Sequence, residues 1–469
     1  MGRIRPILPT SLKPRSQQVG TSEKIRCPLE GPPKNPELKA LIFTENNHTA
    51  IQRDGRVTDG RGLIPRALIY LLLIITPLPK GSVPGWAITL MHILTLMALT
   101  SFFIEKILRW NGKWTQTPLT KSITAILLLS LISALNSVHR GLSFWALAEL
   151  INYIAIYFLV TQIFEQRKHR QMLVFTIVGV ATFLAVFGLF KWAGANPFPW
   201  WAYENRQGPQ DLLTSTYFNH NHIAGYLEMA IPLLLGLLAS GLKRGQFVLF
   251  SILLTFLVTA LILSLSRGGW IGTLIGSVFF VLVIMRAKQS LSIKKILLIC
   301  ITAILLFGVI ALSSETTVER VLTIEQKEKD DSFQSRVTAW KGILNLILDY
   351  PLLGSGPGTF STIFTQYQPP GFWDRFVNAH NDYLQFTAEL GVFWIPIVIW
   401  GLFLLFRIGF QKLPNHSGLT LGTTAGAMAG IVAIMVHSIS DFNLHIPANA
   451  LLFTVIMAIA ASPALKHGR

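Results

Sequence analysis

Apolar and polar positions divide the chain into a polar head, a long series of apolar runs and one polar interruption near the C-terminal end. Residues 1–62 are rich in Pro, Lys, Arg, Asn and Gln and hold no sustained apolar period, which predicts a disordered basic tail. From Leu63 onward, apolar runs near the length of about 20 residues that a bilayer demands follow one another. They predict twelve spans at 63–79, 84–104, 119–138, 143–164, 171–194, 221–241, 246–265, 269–287, 293–312, 389–410, 418–440 and 445–462. The stretch 313–388 breaks the series. Its first part, with Glu315, Glu319, Glu325, Glu328, Asp330 and Asp331, reads as a solvated charge run. From Gln334 the recurrence of Val337, Trp340, Leu344 and Ile347 predicts a helix ended by Asp349-Tyr350-Pro351, lying along the membrane surface with Trp340 and the leucines downward. Further on, Asn378 is expected to cap a helix that starts at Ala379 and runs through Tyr383, Leu384 and Phe386 into the next span.

Composition agrees with this pattern. Of 469 residues 51% are hydrophobic and 13% charged, and the mean hydropathy is +0.50. The expectation is an all-α polytopic membrane protein of about 12 transmembrane helices: 63–312 as spans one to nine, 313–388 as a large outer loop with interfacial helices, and 389–469 as the last three spans with a short tail. The net charge of +17 is assigned to cytoplasmic loops rather than to nucleic acid. Lys106, Arg109 and Lys113 share one side with Arg167, Lys168 and Arg170, with Lys243 and Arg244, and with Arg286 and Lys288. Lys80, Arg140, Arg206 and Arg267 fall on the other. This asymmetry puts both termini in the cytoplasm and 313–388 outside. Cys27 and Cys300 form neither a disulfide framework nor a metal-ligand spacing.

Candidate chemistry lies at the outer ends of the spans. Arg267 falls between two spans in Ser264-Leu-Ser-Arg-Gly-Gly-Trp270, where an interfacial arginine is the alternative reading. His380 falls near a helix start. His437, Asp441 and His445 bracket the last outer turn, in a spacing open to a metal or to a hydrogen-bonded turn. Gly354-Ser-Gly-Pro-Gly358 has the look of a phosphate cradle, but no Lys follows and Pro357 removes an amide donor, so a tight turn is expected.

These residues, taken together, resemble the O-antigen ligase and O-antigen polymerase superfamily of bacterial inner-membrane glycosyltransferases. The resemblance rests on Phe218-Asn-His-Asn-His-Ile-Ala-Gly-Tyr-Leu227, Ser266-Arg-Gly-Gly-Trp270, Arg336 with Trp340, Asp349-Tyr-Pro-Leu-Leu-Gly-Ser-Gly-Pro-Gly-Thr-Phe360, His380-Asn-Asp-Tyr-Leu384 ending at Gly391, and Asp441-Phe-Asn-Leu444. It implies a GT-C-like bundle with a large periplasmic loop, placed in the bacterial inner membrane. It also implies transfer of a glycan from an undecaprenyl diphosphate carrier to a lipid A–core acceptor, to another carrier-linked repeat, or to a Ser or Thr of a protein. The ligase pattern of His, Asn, nine residues, Gly, two residues and a small residue or Tyr is matched by His380, Asn381 and Gly391, while Trp394 stands at its last position.

The chemistry expected is a single inverting displacement without metal or cofactor. His380 is the candidate general base, since imidazole ordinarily titrates near pH ~6.5. Arg336 and Arg267 are the candidate diphosphate clamp, because a guanidinium is always charged and its fork fits phosphate oxygens. Asn219, His220, Asn221, Asn381, Trp340 and Asp441 complete the candidate substrate-binding set. A divalent ion held by Glu328 and Asp330, or by Asp441 with His437 and His445, is the rival route. A polytopic transporter of a polysaccharide intermediate is the rival class, disfavoured because the polar candidates cluster at one face instead of at mid-membrane.

Overall fold

A computed structural model describes residues 62–109, 114–198, 212–287, 331–370, 375–413 and 418–462. These fold as helices joined by turns. Eight helices are long and apolar enough to cross a membrane: α2 (Gly85–Arg109), α4 (Arg140–Ile163), α5 (Arg167–Trp192), α6 (His220–Ala239), α7 (Arg244–Leu263), α8 (Arg267–Arg286), α12 (Trp394–Lys412) and α13 (Gly418–His437). Three shorter apolar helices accompany them: α1 (Leu63–Ile75), α3 (Thr120–Leu135) and α14 (Pro447–Ala461). Eleven of the twelve expected spans thus have a helix at their place. The twelfth, 293–312, lies outside the described residues, as do most of the basic tail, Arg206 and the charge run with Glu328 and Asp330.

The centre of the bundle is α6, wholly buried among α5, α7, α8, α13 and α14. Without a hydrophobic drive between helices in lipid, close backbone approach through small residues holds them together. A stripe four residues apart supplies it. On α13, a Cβ at Gly422 would lie 2.0 Å from the carbonyl of Gly236 on α6, and one at Gly426 would lie 2.4 Å from that of Pro232. On α8, Gly272 and Gly276 meet the carbonyls of Ala433 and Ala429 of α13 in the same way.

Between α8 and α12 the described residues build a small core of their own. Ala339, Ile343 and Leu346 of α9 (Asp331–Asp349) pack on Phe360 and Ile363 of the short α10 (Phe360–Ile363), with Phe364, Ala379 and Ala388. Of the four positions expected to share a face, Trp340 and Ile347 pack against this core while Leu344 is exposed, and a Cβ at Gly342 would lie 2.4 Å from the Tyr367 carbonyl. The Gly354–Gly358 segment is a turn. Its amides are taken by the protein itself, with Gly358 and Phe360 donating to the Glu389 carboxylate at 2.8 and 3.2 Å. It docks on the α3–α4 connection, where Val138 donates to the Ser355 carbonyl at 3.0 Å.

A second correction concerns the helix after it. The cap is Asn381, not Asn378: its side chain accepts from the Leu384 amide at 3.0 Å, and α11 covers Asp382–Leu390. It does not continue into the span. Gly391 takes φ 73°, where a Cβ would lie 2.0 Å from the Leu352 carbonyl, and α12 starts afresh at Trp394. His380 thus precedes the helix, at φ 48°, a left-handed conformation that is strained for a residue with a Cβ.

Candidate functional site

The site is built on the turn between α13 and α14, residues 438–446. Four helix starts converge there. Asp382, the first residue of α11, donates its amide to the carbonyls of Ser438 and Asp441 at 3.0 and 3.1 Å. Arg336, near the start of α9, donates to the Ser440 carbonyl at 2.7 Å. The first turn of α8 lies on the same segment: Ser266 Oγ is 3.4 Å from His437 Nε2, and a Cβ at Gly268 would fall 2.8 Å from Ser440 Oγ. From α6, the His222 ring meets Phe442 edge-on at 4.8 Å, and His380 meets the same ring from another side at 4.8 Å. Helix N-termini carry the positive end of the helix dipole, so this gathering favours a bound anion.

Three histidines near this turn each face a different carboxylate. His380 Nδ1 stands 3.6 Å from Asp441 Oδ1, an ion-pair separation beyond hydrogen-bond range. His445 Nδ1 is 2.6 Å from Asp382 Oδ1, and the other Asp382 oxygen accepts from Ser438 Oγ and the Leu444 amide. His437 Nδ1 is 3.0 Å from Glu228 Oε1. His437, Asp441 and His445 are thereby drawn apart, and among the described residues no group of three acidic, His or Cys side chains is arranged to hold a metal ion.

The electrostatics follow from burial and neighbours. Burial alone would raise the Asp441 carboxyl, which is 0% exposed. The imidazoles of His380 and His222 and the guanidinium of Arg336 outweigh it and hold the group well below the usual carboxylate range. Burial would lower His445, but its bond to Asp382 and the carboxylates of Asp382, Glu389 and Glu149 raise it above the ordinary histidine value. Three buried atoms here, Asp441 Oδ2, His380 Nδ1 and His222 Nε2, have no hydrogen-bond partner among the described residues. Buried polar atoms are rarely left so, and a polar ligand can satisfy them. A cleft of about 380 Å³ is lined by His380 together with Ser335, Arg375, Val377, Asn378 and Phe442.

The candidates read from sequence fall into two groups. His380, Asp441 and Arg336 meet at the turn, and Arg267 opens the helix that packs against it. The others hold the backbone in place. Trp340 Nε1 donates to the Ala379 carbonyl at 2.9 Å and so fixes the residue before His380. Asn219 and Asn381 cap α6 and α11, Asn219 accepting from the Asn221 amide at 2.8 Å, and His220 is the first residue of α6. Sequence reasoning passed over Glu228, Asp382, His222 and Asn443. Glu228 had a signal: it is the one carboxylate in the apolar run from His220 to Ala239. Trp394, the departure from the ligase pattern, donates to Thr387 Oγ1 at 2.9 Å and packs with Leu129 and Leu390, so the change falls on packing.

Residues 250–399 match the family described as O-Antigen ligase. That stretch contains Arg267, Arg336 and His380, whereas Glu228 and the 438–446 turn lie outside it. No curated protein matches the chain.

Proposed function

We propose that this chain, whose residues 250–399 match the O-Antigen ligase family, transfers a glycan from an undecaprenyl diphosphate carrier to a lipid A–core acceptor at the outer face of the inner membrane. The observation that supports this best is the meeting of a strained His380, a buried ionised Asp441 and Arg336 on one turn at the end of a membrane bundle. The acceptor hydroxyl attacks the anomeric carbon, a new C–O bond forms there, and the bond to the diphosphate breaks with inversion. The hydroxyl proton passes to His380, whose imidazolium is stabilised by the Asp441 carboxylate. The pair of electrons leaves with the diphosphate, whose growing charge Arg336 and Arg267 neutralise. Arg375 and Asn378, in the cleft beside His380, are suited to the acceptor sugar.

The test is glycan transfer in reconstituted membranes, with polyprenyl-diphosphate-linked donor and lipid A–core acceptor, for the wild type and a correctly inserted His380→Ala. Transfer by the wild type that persists in EDTA and falls on the order of 100-fold or more in the variant is expected. No transfer to lipid A–core by the wild type would redirect the acceptor to a carrier-linked repeat or a protein hydroxyl. Undiminished transfer by the variant would remove His380 as the base.

A further inference from the structure

Beneath the site lies a polar chain that the displacement does not use. Tyr217 donates its hydroxyl to Asn449 Oδ1 at 3.1 Å, and Asn449 Nδ2 donates to Asn443 Oδ1 at 3.0 Å. Asn443 Nδ2 is 3.3 Å from His437 Nδ1, which also faces both oxygens of Glu228, at 3.0 and 3.1 Å. On its other side His437 Nε2 faces Ser266 Oγ at 3.4 Å. Glu228 and His437 are 0% and 1% exposed.

A carboxylate, an imidazole and a serine in this order have the form of a nucleophilic triad, but the surroundings deny that role. Ser266 is 1% exposed, and its oxygen is already engaged as the cap of α8, accepting from the Gly269 amide at 3.2 Å. The residue next to that cap is Arg267. The two buried groups also fill the space under the first turns of α8: a Cβ at Gly268 would lie 2.4 Å from His437 Cδ2, and one at Gly272 would lie 2.8 Å from Glu228 Oε2. A buried ion pair is weak evidence for stability, since apolar residues of like volume commonly serve as well. What it supplies is direction, and the element it directs is the start of α8.

We propose that Glu228 and His437 are positioning residues for Arg267, acting through the Ser266 cap to aim its guanidinium at the donor diphosphate. The proposal rests on the transferase reading and on Arg267 as part of the clamp. It differs from a packing role in one respect: its effects must pass through Arg267 and reach the donor only.

The test measures binding of undecaprenyl diphosphate, a probe without glycan, to the full chain in nanodiscs, beside steady-state transfer. Glu228→Gln, His437→Gln and Ser266→Ala are each expected to weaken probe binding about tenfold and to raise the donor KM alike, leaving the acceptor KM unchanged. Ser266→Thr, which keeps the hydroxyl, is expected to restore binding. In an Arg267→Ala background the same changes are expected to add less than about twofold. Equal losses in both backgrounds, or an acceptor KM that rises with that of the donor, would overturn the proposal. Should Glu228→Gln fail to fold, Ser266→Ala, which removes a single oxygen, decides alone: binding equal to wild type overturns it. A wild type that does not bind the probe strikes the donor reading itself, and this proposal with it, whereas loss on Arg267→Ala without loss on Ser266→Ala strikes this proposal only.

Discussion

Two buried groups near the site, the Asp441 carboxylate and the His445 imidazole, have opposite relations to pH, and each gives a prediction. Asp441 is held ionised by His380, His222 and Arg336 against its burial, so it stays charged at every pH above the usual carboxylate range. Asp441→Asn is therefore expected to lower kcat on the order of 100-fold at all pH values from about 5 upward. An acid limb that disappears in the variant would show Asp441 itself titrating. His445 is the reverse case, with a folded pKa raised above the unfolded value by Asp382, Glu389 and Glu149. Its stabilisation is complete below the ordinary histidine pKa of about 6.5 and is lost as pH rises through the higher folded value. The melting temperature in detergent should fall as the pH rises above about 6.5 for the wild type, and His445→Gln should flatten that slope. A slope unchanged in the variant would place the titration elsewhere.

At the scale of elements, helix contacts depend on glycines whose hydrogens face a neighbouring backbone. Gly422→Ala drives a methyl to 2.0 Å from the Gly236 carbonyl, and Gly272→Ala drives one against both Ala433 and Glu228. Each is expected to cost about 1–3 kcal/mol, seen as a lower melting temperature and lower yield. Gly179→Ala on α5, where a Cβ meets open space, should leave stability equal or slightly higher. Equal effects at all three positions would deny the close-packing account. These elements also show what the sequence can and cannot tell. Span positions were readable because a run such as Leu173–Phe190 has one physical use, and α5 covers Arg167–Trp192 as a result. The start of α11 was misplaced by three residues because Asn378 and Asn381 are equally good caps, and the choice is made by the distant Ser438 and Asp441 carbonyls that seat Asp382. Which histidine faces which carboxylate was not readable at all. Glu228 and His437 are 209 residues apart, and only the packing of α6, α8 and α13 brings them together.

On the scale of the whole molecule, the groups of the candidate site lie at one end of the bundle. The turn at 213–219 is tied there to its neighbours: Thr216 Oγ1 donates to the Pro77 carbonyl, the Leu213 amide to the Leu263 carbonyl at the end of α7, and the Tyr217 hydroxyl to Asn449 in the first turn of α14. The other end of the same helices carries Lys106, Arg167, Lys168, Lys243, Arg244, Arg286 and Arg407, and a cationic excess of this kind is retained on the cytoplasmic side. If that rule governs insertion, the cleft at His380 opens outside, where a carrier-linked glycan is presented, and the cationic ends stay within. Val377, exposed at the mouth of the cleft, and Lys243, exposed beside the start of α7, then report opposite faces. With Cys27 and Cys300 replaced by serine, Val377→Cys in spheroplasts is expected to react with a membrane-impermeant maleimide, while Lys243→Cys reacts only after permeabilisation. The reverse pattern would turn the site toward the cytoplasm. A transferase there would need a donor not yet carried across the membrane, so the labelling result bears on the substrate as directly as on the topology.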